Sequence, residues 1–204
     1  MRPPVPPLIL VTDRHATGGR DLIDVVAAAL DAGLPAVQLR EKDLPGRPLL
    51  ALAERLRAAT ARTDALLFVN DRMDVAVAAG ADGVHLGGGS MPVEVARRLL
   101  PEHAIVGIST HAPDEAVDAD FAFFGPVYAT PSKPSPQGEA RLAEAVRAAA
   151  IPVLAIGGVG AEHVAAVRSA GAIGVAVIRA ILAAGDPAAA TRALLDALAT
   201  AVSP

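Results

Sequence analysis

The chain repeats one pattern along its length: a short apolar run, then a stretch with apolar residues at helical spacing. The runs fall at residues 8–13, 36–41, 66–71, 83–87, 105–110, 121–127, 152–158 and 174–178. Each is close to continuous in branched or aromatic residues rather than alternating, which is how a strand reads when both of its faces are buried. Helical patterns follow at 21–32, 48–60, 72–80, 92–100, 113–119 and 139–149, from near 161, and at 187–201. Gly33 stops the first of these and Pro92 opens the fourth, as helix ends favour. Eight such units, spaced about every 25 residues, predict a parallel sheet closed into a single-domain (β/α)8 TIM barrel over residues 1–204, with 1–7 as a Pro-rich lead. A doubly wound open sheet is the alternative that the same alternation allows.

Composition narrows the function classes. With 204 residues, 52% of them hydrophobic, the chain has enough apolar surface for one large core. The formal net charge of −4 and the lack of a basic cluster argue against nucleic acid as a partner, and 2% aromatic residues leave no platform for stacking bases. The absence of cysteine removes disulfides and thiolate catalysis and gives a zinc site no support, while leaving the redox compartment open. Residues 1–7 lack the charged and apolar regions of a signal peptide, and no apolar span is long enough for a membrane, so a cytoplasmic protein is expected. A homo-oligomer stays open.

In a barrel the active site lies at the carboxyl ends of the strands. Those ends carry Asp13; Gln38, Arg40 and Lys42; Asn70 and Asp71; His85; Ser109, Thr110 and His111; Thr130, Ser132 and Lys133; and Gly157 with Gly158. Gln38, Arg40 and Lys42 alternate along one strand end, so two cations and an amide point the same way and suit a polyanion such as pyrophosphate. The structural alternative is a salt-bridged strand end, with Arg40 held by a carboxylate such as Asp43. Asn70 and Asp71 can supply oxygen ligands to Mg²⁺, which often needs only one or two carboxylates besides phosphates and water. Asp71 can instead cap the helix beginning at Arg72.

The glycine pair ends the seventh run, where backbone amides can approach an anion, and residues 174–178 would lie beside it as the last strand. The alternative is a sharp strand-to-helix turn without a ligand. Thr130, Ser132 and Lys133 sit in a loop at 129–138 that is long for a connector, and hydroxyls with a lysine suit phosphate capture; a solvated loop is the rival reading. His85 and His111 can act as acid or base, or serve structure alone.

These ordered segments, Val11-Thr12-Asp13, Gln38-Leu39-Arg40-Glu41-Lys42, Asn70-Asp71-Arg72, Gly83-Val84-His85-Leu86-Gly87, Gly107-Ile108-Ser109-Thr110-His111, Phe124-Gly125-Pro126-Val127, Thr130-Pro131-Ser132-Lys133 and Ala155-Ile156-Gly157-Gly158, resemble the motifs of thiamine phosphate synthases and the related TenI-like thiazole tautomerases. The resemblance covers almost the whole chain. It implies a barrel that joins hydroxymethylpyrimidine diphosphate to a thiazole phosphate, both small phosphorylated molecules, with release of pyrophosphate and Mg²⁺ as cofactor. It also implies that Gln38, Arg40, Lys42 and Asn70 hold the pyrimidine diphosphate and that Asp71 binds Mg²⁺. Ser109 and Lys133 would stabilise the departing pyrophosphate, while Thr130, Ser132, Gly157, Gly158 and the backbone near Val177 and Ile178 would position the thiazole phosphate.

The sequence departs from that pattern in places. Gly88-Gly89-Ser90 stands where the synthases usually carry Gln, an acidic residue and a second Mg-binding Asp, so Ser90 offers only a neutral oxygen. That segment is closer to the tautomerases, which aromatise a thiazole carboxylate phosphate without a metal, yet Pro126 replaces their usual active-site His. Arg179 stands where a Ser is usual after the last strand. The retained Arg40, Lys42, Asn70, Asp71 and Lys133 favour the synthase. A thiazole tautomerase and a non-catalytic binder of thiazole or thiamine phosphates are the alternatives.

Overall fold

The structure is a computed structural model and describes residues 3–110, 118–131 and 135–201. The apolar runs form strands β1 (Leu8–Val11), β2 (Ala36–Leu39), β3 (Leu66–Asn70), β4 (Gly83–Leu86), β5 (Ile105–Thr110), β6 (Phe121–Phe124), β7 (Val153–Ile156) and β8 (Gly174–Val177). They pair in chain order, all parallel, and β8 closes on β1 through Leu8↔Val175, Ile9↔Ala176 and Leu10↔Val177. Closure gives the (β/α)8 barrel that the alternation predicts and removes the open-sheet alternative.

The strands stop short of the apolar runs. β1 ends at Val11, so Thr12 and Asp13 are free to turn over the barrel mouth, and β2 ends at Leu39, which releases Arg40 and Lys42 in the same way.

Outside the barrel run α1 (Leu22–Asp31), α2 (Gly46–Ala61), α3 (Met73–Ala78), α4 (Val93–Leu99), α5 (Gly138–Ala148), α6 (Val164–Ser169), α7 (Arg179–Leu182) and α8 (Pro187–Thr200). Asp21 caps α1 by accepting from the Ile23 N–H at 2.8 Å, and Asp186 caps α8 by accepting from the Ala189 N–H at 2.9 Å. Two differences from the sequence reading stand out. The helix expected from near 161 opens with a 3-10 turn, Ala161–His163, before α6. The four-residue α7 was not anticipated, because one turn carries no readable periodicity. Most of the helix expected at 113–119 lies outside the described residues.

Two layers of packing result. Alternate strand residues turn outward to meet the helices, while Ile9, Val11, Phe68, Ile105, Phe121, Phe123, Leu154 and Ala176 fill the barrel interior. Three of the chain's four phenylalanines are therefore inside the barrel, with Phe68 and Phe121 centroids 5.6 Å apart and Phe121 and Phe123 5.4 Å apart. Gly107 makes room for them, since a Cβ there would lie 2.2 Å from the Phe121 ring. Val5, from the Pro-rich lead, packs against this interior cluster.

At the opposite end from the mouth, two Asp residues repeat one device. Asp82, just before β4, accepts from the Leu67 N–H at 2.7 Å and pairs with Arg57 at 2.6 Å. Asp120, just before β6, accepts from the Val106 N–H and pairs with Arg97, each at 2.7 Å. These bonds brace the amino-terminal face of the barrel, and active sites of such barrels lie at the other face.

Candidate active site

The mouth of the barrel holds a cleft of about 890 Å³ lined by groups from every strand end that the sequence singled out and the structure describes. Gln38, Arg40 and Lys42 all line it, as their alternation predicts, while the intervening Glu41 is buried on the other side. Glu41 accepts from the Arg14 N–H and from Arg14 Nη1, each at 3.0 Å, and Asp43 also pairs with Arg14. This settles the salt-bridge alternative: Asp43 is spent on Arg14, whose guanidinium holds its carboxyl far below the usual range, and Arg40 stays exposed at the mouth. The Arg40 N–H is fixed by the Thr12 Oγ1 acceptor at 2.9 Å, so β1 places the β2 end.

A relay of amides leads to the carboxylate. Gln38 Nε2 donates to Asn70 Oδ1 at 3.0 Å, and Asn70 Nδ2 donates to Asp71 Oδ2 at 2.7 Å. Asp71 adopts a left-handed backbone with φ 60°, a conformation that Asp tolerates better than most residues. Asp71 is not itself among the residues lining the cleft; its carboxylate is held against the lining residues Asn70 and Gly87, where Oδ1 accepts from the Gly87 N–H at 2.9 Å and from the Ser90 hydroxyl. Lys42 Nζ stands 3.9 Å from Oδ2. Burial works to raise this carboxyl, but the Gly87 and Ser90 donors, the Lys42 charge and Asn70 together hold it below its ordinary value. Asp71 does not cap the next helix: α3 starts after Arg72 with no side-chain cap bond.

The floor is made by His85, which is fully buried and stacked on Phe123 with centroids 4.2 Å apart. His85 Nε2 meets Ser109 Oγ at 2.9 Å, and Ser109 lines the cleft. Burial pushes the imidazole down to about 3, so it is neutral at physiological pH. Two polar atoms in this floor, Gln38 Oε1 and His85 Nδ1, are buried without a partner among the described residues.

On the other side of the cleft lie Gly157 and Gly158, both with positive φ, at 94° and 67°. Side chains are excluded there, because a Cβ on Gly157 would lie 2.6 Å from Pro126 Cβ and one on Gly158 would lie 2.7 Å from Ala129 O and Tyr128 Cβ. Thr130 lines the same side, as do Val177, Ile178 and Arg179, where β8 passes into α7. The Val177 side chain packs outward among the helices, so only its backbone faces the cleft, whereas Arg179 is exposed at the rim. Pro126 lines the cleft in a cis peptide bond with Gly125, with no titratable group at that position.

Ser132, Lys133 and His111 lie outside the described residues. Sequence reasoning did not find the Gly87 amide, the Ser90 hydroxyl as a donor to Asp71, or Thr12 as the anchor of Arg40. Thr12 left a signal as a polar residue continuing an apolar run, and Ser90 left one by standing where the synthases usually carry a metal-binding Asp.

Among the described residues no group of three or more His, Cys, Asp or Glu side chains stands ready to hold a metal. Asp71 nevertheless fits Mg²⁺ as a single carboxylate ligand, since Oδ2 has one close donor and one lone pair facing Lys42. The remaining ligands would have to come from phosphate oxygens and water.

A closed (β/α)8 barrel with cations and a carboxylate at one side of its mouth, and a glycine turn at the other, is the architecture of an enzyme acting on phosphorylated molecules. The chain belongs to the thiamine monophosphate synthase family, whose model matches residues 8–181. It is 51% identical over 199 residues to a putative thiamine-phosphate synthase of Geobacter sulfurreducens, covering 94% of this chain and 93% of the relative. It is 46% identical to the thiamine-phosphate synthase of Roseiflexus castenholzii, covering 93% and 87% respectively. Among solved structures it resembles the thiamine phosphate pyrophosphorylase of Pyrococcus furiosus, with 35% identity, 96% of each chain covered and a TM-score of 0.87. Among the described residues no helix is long and apolar enough to cross a membrane.

Proposed function

We propose that this chain joins hydroxymethylpyrimidine diphosphate to a thiazole phosphate, forming thiamine phosphate and pyrophosphate. The observation that carries this reading is the division of one cleft into two anion-gripping sides. Arg40 and Lys42 stand on one side, with Asp71 3.9 Å from Lys42, and the Gly157-Gly158 turn with Thr130 and the Ile178 backbone stands on the other. A single phosphorylated substrate has no need of both.

The step breaks the bond between the pyrimidine methylene carbon and the diphosphate oxygen, and the bonding pair leaves with pyrophosphate. The pyrimidine ring stabilises the resulting carbocation, and the thiazole nitrogen lone pair closes the new carbon–nitrogen bond. Arg40 and Lys42 neutralise the oxygen that departs, and Ser109, oriented by His85, donates a hydrogen bond to it. Gln38 and Asn70 face the pyrimidine, and the unpartnered Gln38 Oε1 is an acceptor awaiting a donor such as a ring amine. By resemblance Lys133 joins the pyrophosphate grip and Ser132 the thiazole phosphate. Asp71 would hold Mg²⁺, whose chemistry when bound is to offset charge on the pyrophosphate oxygens. No protein nucleophile is required.

Incubating the protein with both substrates and Mg²⁺ tests this. Thiamine phosphate and pyrophosphate are expected in equal amounts. Consumption of a thiazole carboxylate phosphate tautomer with no pyrimidine incorporated would replace the synthase reading by the tautomerase one.

A further inference from the structure

We infer that in this chain Asp71 takes a divalent cation only as part of a cation–diphosphate complex, Lys42 serving as the counter-cation of Asp71 until that complex arrives. The inference rests on the diphosphate reading above and concerns the order in which the site fills.

The geometry around Asp71 leaves a free cation little to bind. A carboxylate offers about four acceptor positions. Oδ1 has two of them filled, by the Gly87 N–H at 2.9 Å and by the Ser90 hydroxyl. Oδ2 has one filled by Asn70 Nδ2 at 2.7 Å, and Asn70 is itself fixed by Gln38 Nε2 at 3.0 Å, so this donor does not swing away. The last position faces Lys42 Nζ, 3.9 Å from Oδ2. Ser90 donates its hydrogen to the carboxylate and has only a neutral hydroxyl oxygen to offer a metal, and among the described residues no second carboxylate joins Asp71.

Charge points the same way. Arg40 and Lys42 line the cleft, as does Asp13, so a diphosphate meets two cations there, whereas a bare dication meets Lys42 in front of the last Asp71 lone pair. Mg²⁺ gives up water reluctantly and needs several oxygens in an octahedral set, which one lone pair does not supply. A diphosphate brings its own oxygens and also draws Lys42, more than half exposed and free to move, away from Oδ2. The vacated lone pair then faces the cation.

Equilibrium dialysis of the full chain with Mn²⁺ and inorganic pyrophosphate, counting both per protein, tests this order. Mn²⁺ alone should not be retained, pyrophosphate alone should be, and the two together should be retained one to one. Ser90→Asp, which adds a carboxylate facing Asp71, should retain Mn²⁺ without pyrophosphate, about tenfold or more tighter than the unaltered chain. Lys42→Met should also gain Mn²⁺ retention while losing pyrophosphate affinity, and both changes are at partly or fully exposed positions. Stoichiometric Mn²⁺ retention by the unaltered chain without pyrophosphate overturns the inference and leaves the diphosphate reading intact. Failure to retain pyrophosphate with or without Mn²⁺ overturns the diphosphate reading, and the inference with it.

Discussion

His85 Nε2 lies 2.9 Å from Ser109 Oγ, joining the ends of the neighbouring strands β4 and β5 beneath the cleft. The imidazole is buried and packs against Phe121 and Phe123, which fixes its ring beside the serine. Its depressed value, about 3 against 6.5 for a free imidazole, has a sign that can be checked. The unfolded chain binds the proton first, so the stability due to this residue is complete above pH 6.5 and declines as pH falls toward 3. Urea titrations at several pH values should show His85→Gln losing part of that acid sensitivity. Activity should show no inflection from this group between pH 6 and 8, and one that vanishes in His85→Gln would contradict the positioning role.

Arg40 and Lys42 are exposed, and in the proposed reaction they bind a charge that grows as the leaving group departs. Arg40→Ala and Lys42→Ala should each lower kcat by about 10²- to 10³-fold. Thermal stability should barely change, because exposed substitutions away from packed features cost at most about 0.5 kcal/mol. Steady-state kinetics beside a melting curve checks both halves of the expectation.

Gly158→Ala tests the glycine turn. The added Cβ meets Ala129 O and Tyr128 Cβ, each at 2.7 Å, at a φ of 67°, so the turn must withdraw from its present course. The KM for the thiazole phosphate should rise by about tenfold, equivalent to about 1.4 kcal/mol. Pyrophosphate affinity, which the proposal places on the other side of the cleft, should be unchanged by calorimetry.

Gly107→Ala probes the barrel interior below the site. A methyl group placed 2.2 Å from the Phe121 ring overpacks the interior, and the expected loss is about 1–3 kcal/mol in chemical denaturation. Asp82→Ala should cost about 1–3 kcal/mol by a different route, leaving the Leu67 N–H and Arg57 without their acceptor.

The barrel was legible because each strand is buried on both faces and so reads as an unbroken apolar run, and because the glycine-ended 152–158 run announced its turn. Period-two alternation predicted the joint placement of Gln38, Arg40 and Lys42, although only Gln38 lies in β2 and Lys42 follows in a turn. What the sequence left open was decided by partners distant along the chain. Whether Asp71 caps a helix or serves the cleft depends on the Gly87 amide, and whether Arg40 is free depends on Arg14 claiming Asp43. No local pattern encodes such pairings. The α7 turn escaped notice because four residues are too few to show a helical period.

The account stands on one cleft gripping two phosphorylated ligands at once, and a crystal structure of the protein soaked with thiamine phosphate and pyrophosphate measures this directly. Pyrophosphate is predicted beside Arg40, Lys42 and Ser109, with the phosphate ester of thiamine phosphate against the Gly157-Gly158 turn and the Ile178 backbone. Both anions on the same side of the cleft, or either one outside the barrel mouth, would contradict it.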